Sequence, residues 1–238
     1  MIETLKRILK RSPIALNKNH RYDILTKKII HRLAPDSNCI DVGCYKGEIL
    51  DLILKVAPKG RHFAIEPVPA QYALLKSKYR DIKNCTVLNY AASNVSGSSD
   101  FNYVISNPAY SGLIKRDYDR PHEEDRSIRV KTELLDKLID PEIRIKLIKI
   151  DVEGAELLVL EGASEIIARW RPLVVFEHGL GASEHYGATP VKVYDYFEDK
   201  KMKVSNLKSY LKERKSLSKE EFEKQYYTKE NYYFIAHA

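Results

Sequence analysis

Short apolar runs recur along the chain, and each is followed by a stretch of helix length with mixed polarity. Asn38–Val42, His62–Glu66, Cys85–Asn89, Lys146–Asp151 and Leu173–Glu177 read as buried strands, rich in β-branched and other apolar side chains. Tyr22–Leu33, Glu48–Val56, Ala70–Tyr79 and Ala155–Arg169 read as helices, and Tyr232–Ala236 as a last strand. Strands alternating with helices in this way predict βαβ units and a parallel sheet covered on both faces. The expected fold class is α/β. Two stretches break the rhythm. Residues 93–133 are polar, with Gly97, Asn107-Pro108 and Gly112, and predict a hairpin followed by a loop. Residues 200–229 carry ten Lys or Arg against four acids and predict a basic, partly helical insertion before the last strand. Both are read as lid or substrate-facing loops, or as solvated surface excursions.

Ahead of the first strand, Ile2, Leu5, Ile8 and Leu9 recur at helical spacing among basic residues. They predict a short amphipathic helix ending near Pro13, either packed on the domain or in weak contact with a membrane surface. Residues 1–35 are thus expected to form a basic helical N-terminal extension, and residues 36–238 the main domain. Of 40 basic and 33 acidic residues, nine Lys or Arg and only Glu3 and Asp23 fall within residues 1–32, so this arm carries the whole net charge of +7. The body balances to zero and offers no broad field for capturing nucleic acid. No run approaches the roughly 20 apolar residues of a membrane span, and no apolar run follows Met1 as in a secretory leader. Cys39, Cys44 and Cys85 are odd in number and lack metal-ligand spacing, which suits a reducing cytoplasm.

The chemistry concentrates where the first strand ends, at Ile40-Asp41-Val42-Gly43-Cys44-Tyr45-Lys46-Gly47-Glu48. Glycines at a strand-to-helix turn let a ligand lie against bare peptide at a helix N-terminus. The spacing is D-x-G-x-x-x-G, which lacks the third glycine of the dinucleotide fingerprint and so disfavours a nicotinamide dehydrogenase. Asp41 would repel a pyrophosphate but suits a ligand with an ammonium or sulfonium charge. Glu66 ends the second strand, where doubly wound sheets hold a ribose by its hydroxyls. A nucleoside with a cationic tail answers both acids, and S-adenosylmethionine is that molecule.

Asp41–Gly47, Phe63-Ala-Ile-Glu-Pro67 with Gln71-Tyr72 and Leu75, Ala92-Ser93 with Gly97, and above all Lys149-Ile-Asp-Val-Glu-Gly-Ala-Glu156 with Leu160-Glu-Gly-Ala163 resemble the FkbM-type S-adenosylmethionine-dependent methyltransferases. Arg171-Pro172 leading into Val174-Val-Phe-Glu177 is similar to the same family's fifth strand. The resemblance covers roughly residues 36–180. It implies a class I, Rossmann-like methyltransferase fold, a doubly wound and mostly parallel seven-stranded sheet with a reversed last strand, and methyl transfer to oxygen. Carried over residue by residue, it implies that Asp41, Gly43, Tyr45 and Gly47 line the methionine and ribose end of the cofactor. Glu66, followed by Pro67, would hold the ribose hydroxyls, and Asn89–Ser93, with Ala92 and Ser93, would lie near the adenine. Asp151 would stand at the edge of the cleft, beside the methyl group.

The candidate catalytic residues are Asp151, Glu153 and His178. Asp151, helped by Glu153, is read as a base for an acceptor hydroxyl or as a holder of a divalent metal such as magnesium. His178, after the fifth strand, is the second candidate base. Glu153 and Glu156 can equally cap and solvate the following helix, and His178 can equally be structural. The expected acceptor is a hydroxyl on a sugar, glycan or secondary metabolite. The alternatives are a nucleic-acid or protein N-methyltransferase that docks through the basic arm and residues 200–229, and a binding module that kept the fold without catalysis.

Overall fold

The structure is a computed structural model that describes residues 15–116 and 123–238. The helix expected near Ile2–Arg11 and most of the Asp117–Asp125 run lie outside the described residues. In chain order the strands are β1 Asn38–Val42, β2 His62–Ile65, β3 Cys85–Leu88, β4 Ala91–Ala92, β5 Gly97–Val104, β6 Asp125–Glu133, β7 Ile145–Ile150, β8 Leu173–Glu177, β9 Lys203–Asn206 and β10 Tyr233–His237. Seven of them form one sheet in the order β3-β2-β1-β7-β8-β10-β9. The first five are parallel, and β10 runs antiparallel to both β8 and β9. A parallel, doubly wound sheet closed by one reversed strand is the class I methyltransferase fold.

Alternate residues along each central strand feed opposite faces of the sheet. Ile40, Val42, Ile148, Ile150, Val174, Phe176, Phe234 and Ala236 enter one core, while Cys39, Leu147, Val175 and Ile235 enter the other. Helix Lys18–Ile30 packs into the second core through Tyr22, Ile29 and Ile30. The basic segment ahead of β1 is therefore built into the fold as far as it is described. Its Asn17 side chain caps the helix by accepting the His20 amide at 2.8 Å.

Of three stretches, one refines an expectation and two correct it. The hairpin expected within residues 93–133 is present but longer than a simple excursion: β5 and β6 pair antiparallel from Gly97↔Thr132 to Val104↔Asp125, and with β4 they make a second sheet of three strands. Residues 200–229 are part of the main sheet layer and not an insertion. They supply β9, helix Leu207–Leu211 and helix Lys219–Tyr227, which buries Phe222 and Tyr226. Edge strands are commonly short and charged, so Lys203 beside buried Val204 and Ser205 hides a strand from its pattern. The helix expected over Ala155–Arg169 is two helices, Glu156–Glu161 and Ser164–Trp170. At the break a side chain on Gly162 would overlap the Ser93 carbonyl, and the Asp136 carboxylate accepts the Glu165 and Ile166 amides at 2.9 and 3.0 Å.

Candidate functional site

The carboxyl edge of the parallel strands opens into a cleft. Gly43 and Tyr45 from the loop after β1, Glu66 and Pro67 after β2, Ala92 of β4, and Asp151 and Glu153 after β7 all line it. Seven residues singled out in the sequence thus meet in one place. The hairpin adds Phe101, Pro108, Ser111 and Leu113, and Tyr90 and Val68 complete an apolar wall. Residue spacing carried no signal for these, because a β-hairpin's tip is placed by its ladder and not by its own sequence.

The loop wall is held by backbone. Gly43 adopts φ +74, and a side chain there would overlap the carbonyl oxygen of Asp151, so only glycine lets the loop and the end of β7 touch. Glu66 is buried and accepts the Tyr45 amide on Oε2 at 2.9 Å and the Val68 amide on Oε1 at 3.0 Å. Burial raises its pKa, and those two hydrogen bonds oppose the rise. Each oxygen keeps a second lone pair, enough for two vicinal hydroxyls.

The opposite wall is held by side chains. Asp151 Oδ2 accepts the Tyr233 hydroxyl at 2.7 Å and lies 3.2 Å from the Lys149 ammonium. Burial alone would raise the Asp151 pKa, but Lys149 and the Tyr233 hydrogen bond outweigh it and hold the carboxyl below its ordinary value. Glu153 sits at φ +58 and pairs with Arg116, whose guanidinium stacks 5.1 Å over Tyr110 on the hairpin tip. Burial pushes Glu153 up to about 8, with Arg116 opposing and Asp151 and Glu156 reinforcing. Glu156 accepts the Val152 and Gly154 amides on one oxygen and reaches about 7, again through burial. Glu177, at the end of β8, is raised well above its ordinary value by burial and by Glu153, Asp151 and Glu156. The Tyr186 hydroxyl accepts the Ile114 amide at 2.9 Å and docks the same hairpin tip to this wall.

Four expected site residues stand back from the cleft. Asp41 is 1% exposed, below the loop, with neither oxygen hydrogen-bonded and the Lys149 ammonium 3.7 Å away. Burial raises its pKa, and Lys149 and the Cys44 thiol offset part of that. Gly47 is covered by Tyr79, whose hydroxyl donates to the Gly47 carbonyl at 3.0 Å. Ser93 is buried under the break at Gly162. His178 is 1% exposed, and its ring stacks on Tyr226 and Phe222 at 4.7 and 5.7 Å. Burial lowers its pKa to about 3. A side chain one residue past Glu177 points to the other side of the chain, so His178 enters the core that helix Lys219–Tyr227 covers.

Lys149, Glu177, Tyr233 and Arg116 are the site's charged and polar neighbours that the sequence reading passed over. Lys149 alone left a trace: a lysine two residues before Asp151 shares its face of the strand. Among the described residues no three His, Cys, Asp or Glu side chains converge as a metal site, and no helix is long and apolar enough to cross a membrane. A second cavity, lined by Lys203, Arg214, Lys215, Tyr210 and His237, lies at the other end of the sheet, since Lys203 pairs with His237 at the far end of β10.

A search of curated proteins returns no match. Among solved structures the chain is similar to an FkbM methyltransferase from Methylobacillus flagellatus KT, at 21% identity and TM-score 0.44, over 61% of this chain and 34% of that one. It thus spans about a third of that protein's length. It is also similar to a precorrin-6y C5,15-methyltransferase from Geobacter metallireducens GS-15, at 13% identity and TM-score 0.45, over 77% of this chain and 72% of that one. The family model of the methyltransferase FkbM domain matches residues 41–214, from the strand beneath the Gly43 loop to the segment after β9, and the chain belongs to that family.

Proposed function

We propose that the chain transfers a methyl group from S-adenosylmethionine to a hydroxyl of a sugar, glycan or secondary metabolite. The observation that carries the cofactor is Glu66: a buried carboxylate at the end of β2, anchored by two backbone amides, each oxygen with a lone pair to spare, and lining the cleft. Glu66 would hold the ribose, Gly43 and Tyr45 the amino-acid end, and Pro67, Val68 and Ala92 the base. The bound cofactor would supply a methyl group activated on a sulfonium, with a neutral thioether as the leaving group.

The chain's own work is then positioning and proton handling. Asp151, kept ionised by Lys149 and Tyr233, would accept a hydrogen bond from the acceptor hydroxyl and orient it. Glu153, raised to about 8, has the proton affinity of a general base near neutral pH and would hold the proton that leaves.

Calorimetric titration with S-adenosylmethionine and S-adenosylhomocysteine, with NADH as control, tests the cofactor. Micromolar binding that weakens at least about tenfold, or about 1.4 kcal/mol, in Glu66→Ala supports it. No binding overturns it. Labelled methyl recovered as an ether from a panel of glycosides supports the acceptor class, and label recovered on nitrogen overturns it.

A further inference from the structure

Lys149 lies in the middle of a buried strand, 6% exposed, and the register of the sheet explains where its ammonium goes. Pairing of β1 with β7 sets Asp41 directly opposite Lys149. The two-residue period of a strand sets Asp151 on the same face. The ammonium lies 3.7 Å from Asp41 Oδ1 and 3.2 Å from Asp151 Oδ2, and it donates to the Gly43 carbonyl at 3.4 Å. An ammonium has three donors. Here one reaches the Gly43 carbonyl, Asp151 stands within ion-pair and hydrogen-bond reach, and Asp41 faces the charge as an ion-pair neighbour without a hydrogen bond.

We infer that Lys149 is a positioning residue that ties the Gly43–Gly47 loop to Asp151, so that one buried cation sets the spacing between the two walls of the cleft. Direct contact supports this, since Gly43 already touches the Asp151 backbone and a side chain at position 43 would force them apart. The loop's other anchors all lie on the far side. Gly43 and Cys44 donate to the Ile65 carbonyl and Tyr45 to Glu66, fixing the loop to β2, while Lys78 and Tyr79 of helix Pro69–Tyr79 donate to the Lys46 and Gly47 carbonyls; Lys149 is left as the loop's polar side-chain tie to β7. The competing role is that of a mere counter-charge for Asp41, and the two roles separate by substitution.

Lys149→Met leaves Asp41 as an unpaired buried acid and should melt well below the unsubstituted protein. Lys149→Met with Asp41→Asn removes that conflict, and it should regain melting temperature while leaving the loop untied. In the ligand-free protein, amide exchange at residues 43–47 should then rise at least about tenfold, while the β5–β6 hairpin keeps its protection. Asp41→Asn alone keeps the ammonium on Asp151 and Gly43 and should keep loop protection. By calorimetry the double variant should bind S-adenosylhomocysteine at least about tenfold more weakly, and Asp41→Asn alone within about twofold of the unsubstituted protein.

A double variant whose loop exchange matches the unsubstituted protein overturns the inference, and so does an Asp41→Asn single variant that loosens the loop as much as the double. A double variant that stays unstable, with exchange raised in every strand, likewise reduces Lys149 to a structural charge. The ligand arm rests on the proposed cofactor; the exchange arm does not. If the unsubstituted protein binds no S-adenosylhomocysteine, the cofactor reading falls, and loop exchange still decides the role of Lys149.

Discussion

The two walls of the cleft solve the same problem by different means. Each gathers carboxylates at the carboxyl edge of the sheet, Glu66 buried and Asp151 and Glu153 partly exposed. On the loop wall Glu66 is satisfied by the amides of Tyr45 and Val68, groups that no side-chain substitution removes. On the other wall Asp151 and Glu153 depend on Lys149, Tyr233 and Arg116, each a single side chain from a different part of the chain. Backbone satisfaction makes a rigid binding wall whose acceptor geometry is fixed by the fold. Side-chain satisfaction makes a wall whose protonation can be moved one residue at a time, which is what acid–base chemistry needs.

The largest break in this comparison is to empty the backbone-held wall. Glu66→Ala strands two buried amides and should cost about 3 kcal/mol of unfolding free energy, since each charge-assisted bond is worth about 1.5–3 kcal/mol. Glu66→Gln keeps one oxygen acceptor and should cost about half as much, measured by denaturant titration.

Next comes pH, which acts on both walls, since burial raises Glu66 as well, but bears hardest on the acids beside Asp151. Glu153 and Glu156 are raised to about 8 and about 7 in the folded chain, against an ordinary 4.5. The folded state therefore holds protons that the unfolded chain has released. Stability from these groups is fully present below about pH 4.5 and is lost as pH rises through 7 and 8. Glu156→Gln should flatten the pH 5–8 part of that slope, because the amide keeps the acceptor for Val152 and Gly154 and cannot ionise. A melting temperature that climbs from pH 5 to 8 contradicts the assignment.

A smaller effect should follow from Arg116→Ala. The pair with Glu153 is partly exposed, so its loss should cost about 1 kcal/mol, while Glu153 moves further up and its titration shifts to higher pH. Carboxyl-labelled NMR reads the shift directly. A fall in the Glu153 pKa would mean that the guanidinium does not face it in solution.

The parallel half of the sheet was legible because each strand is a continuous apolar run bounded by a helix, and β1, β8 and helix Glu48–Val56 lie where the pattern put them. The reversed half was less so. β9 exposes Lys203 and is edge-paired, and its neighbour helices bury only Leu207 and Phe222, Gln225 and Tyr226 among many charges. Within the site, glycines and acids at strand ends were legible because they sit at fixed offsets from the strands. Tyr233, Arg116 and Leu113 were not, because they arrive from elements whose approach depends on tertiary packing. Asp41 and His178 mark the same limit from the other side. A strand end is visible in the sequence, but whether its last side chain faces the ligand or the layer beneath depends on a register of one residue.

His178 gives the smallest expected effect. As a base it would have to reach the cleft, yet its ring lies between Tyr226 and Phe222, neither ring nitrogen has a hydrogen-bond partner, and burial keeps it neutral. His178→Leu forfeits ring stacking worth about 0.5–1.5 kcal/mol. It also removes a buried polar ring whose desolvation costs about 1–3 kcal/mol when no partner is present. The two terms oppose each other and are of similar size, so stability should change by about 1 kcal/mol or less, and ligand affinity should stay within about twofold. A His178→Leu protein that folds with the same melting temperature and yet loses methyl transfer would carry the proton path through β8 to the opposite face of the sheet. The side-chain wall would then extend beyond Asp151 and Glu153 to a group that the folded chain keeps dry.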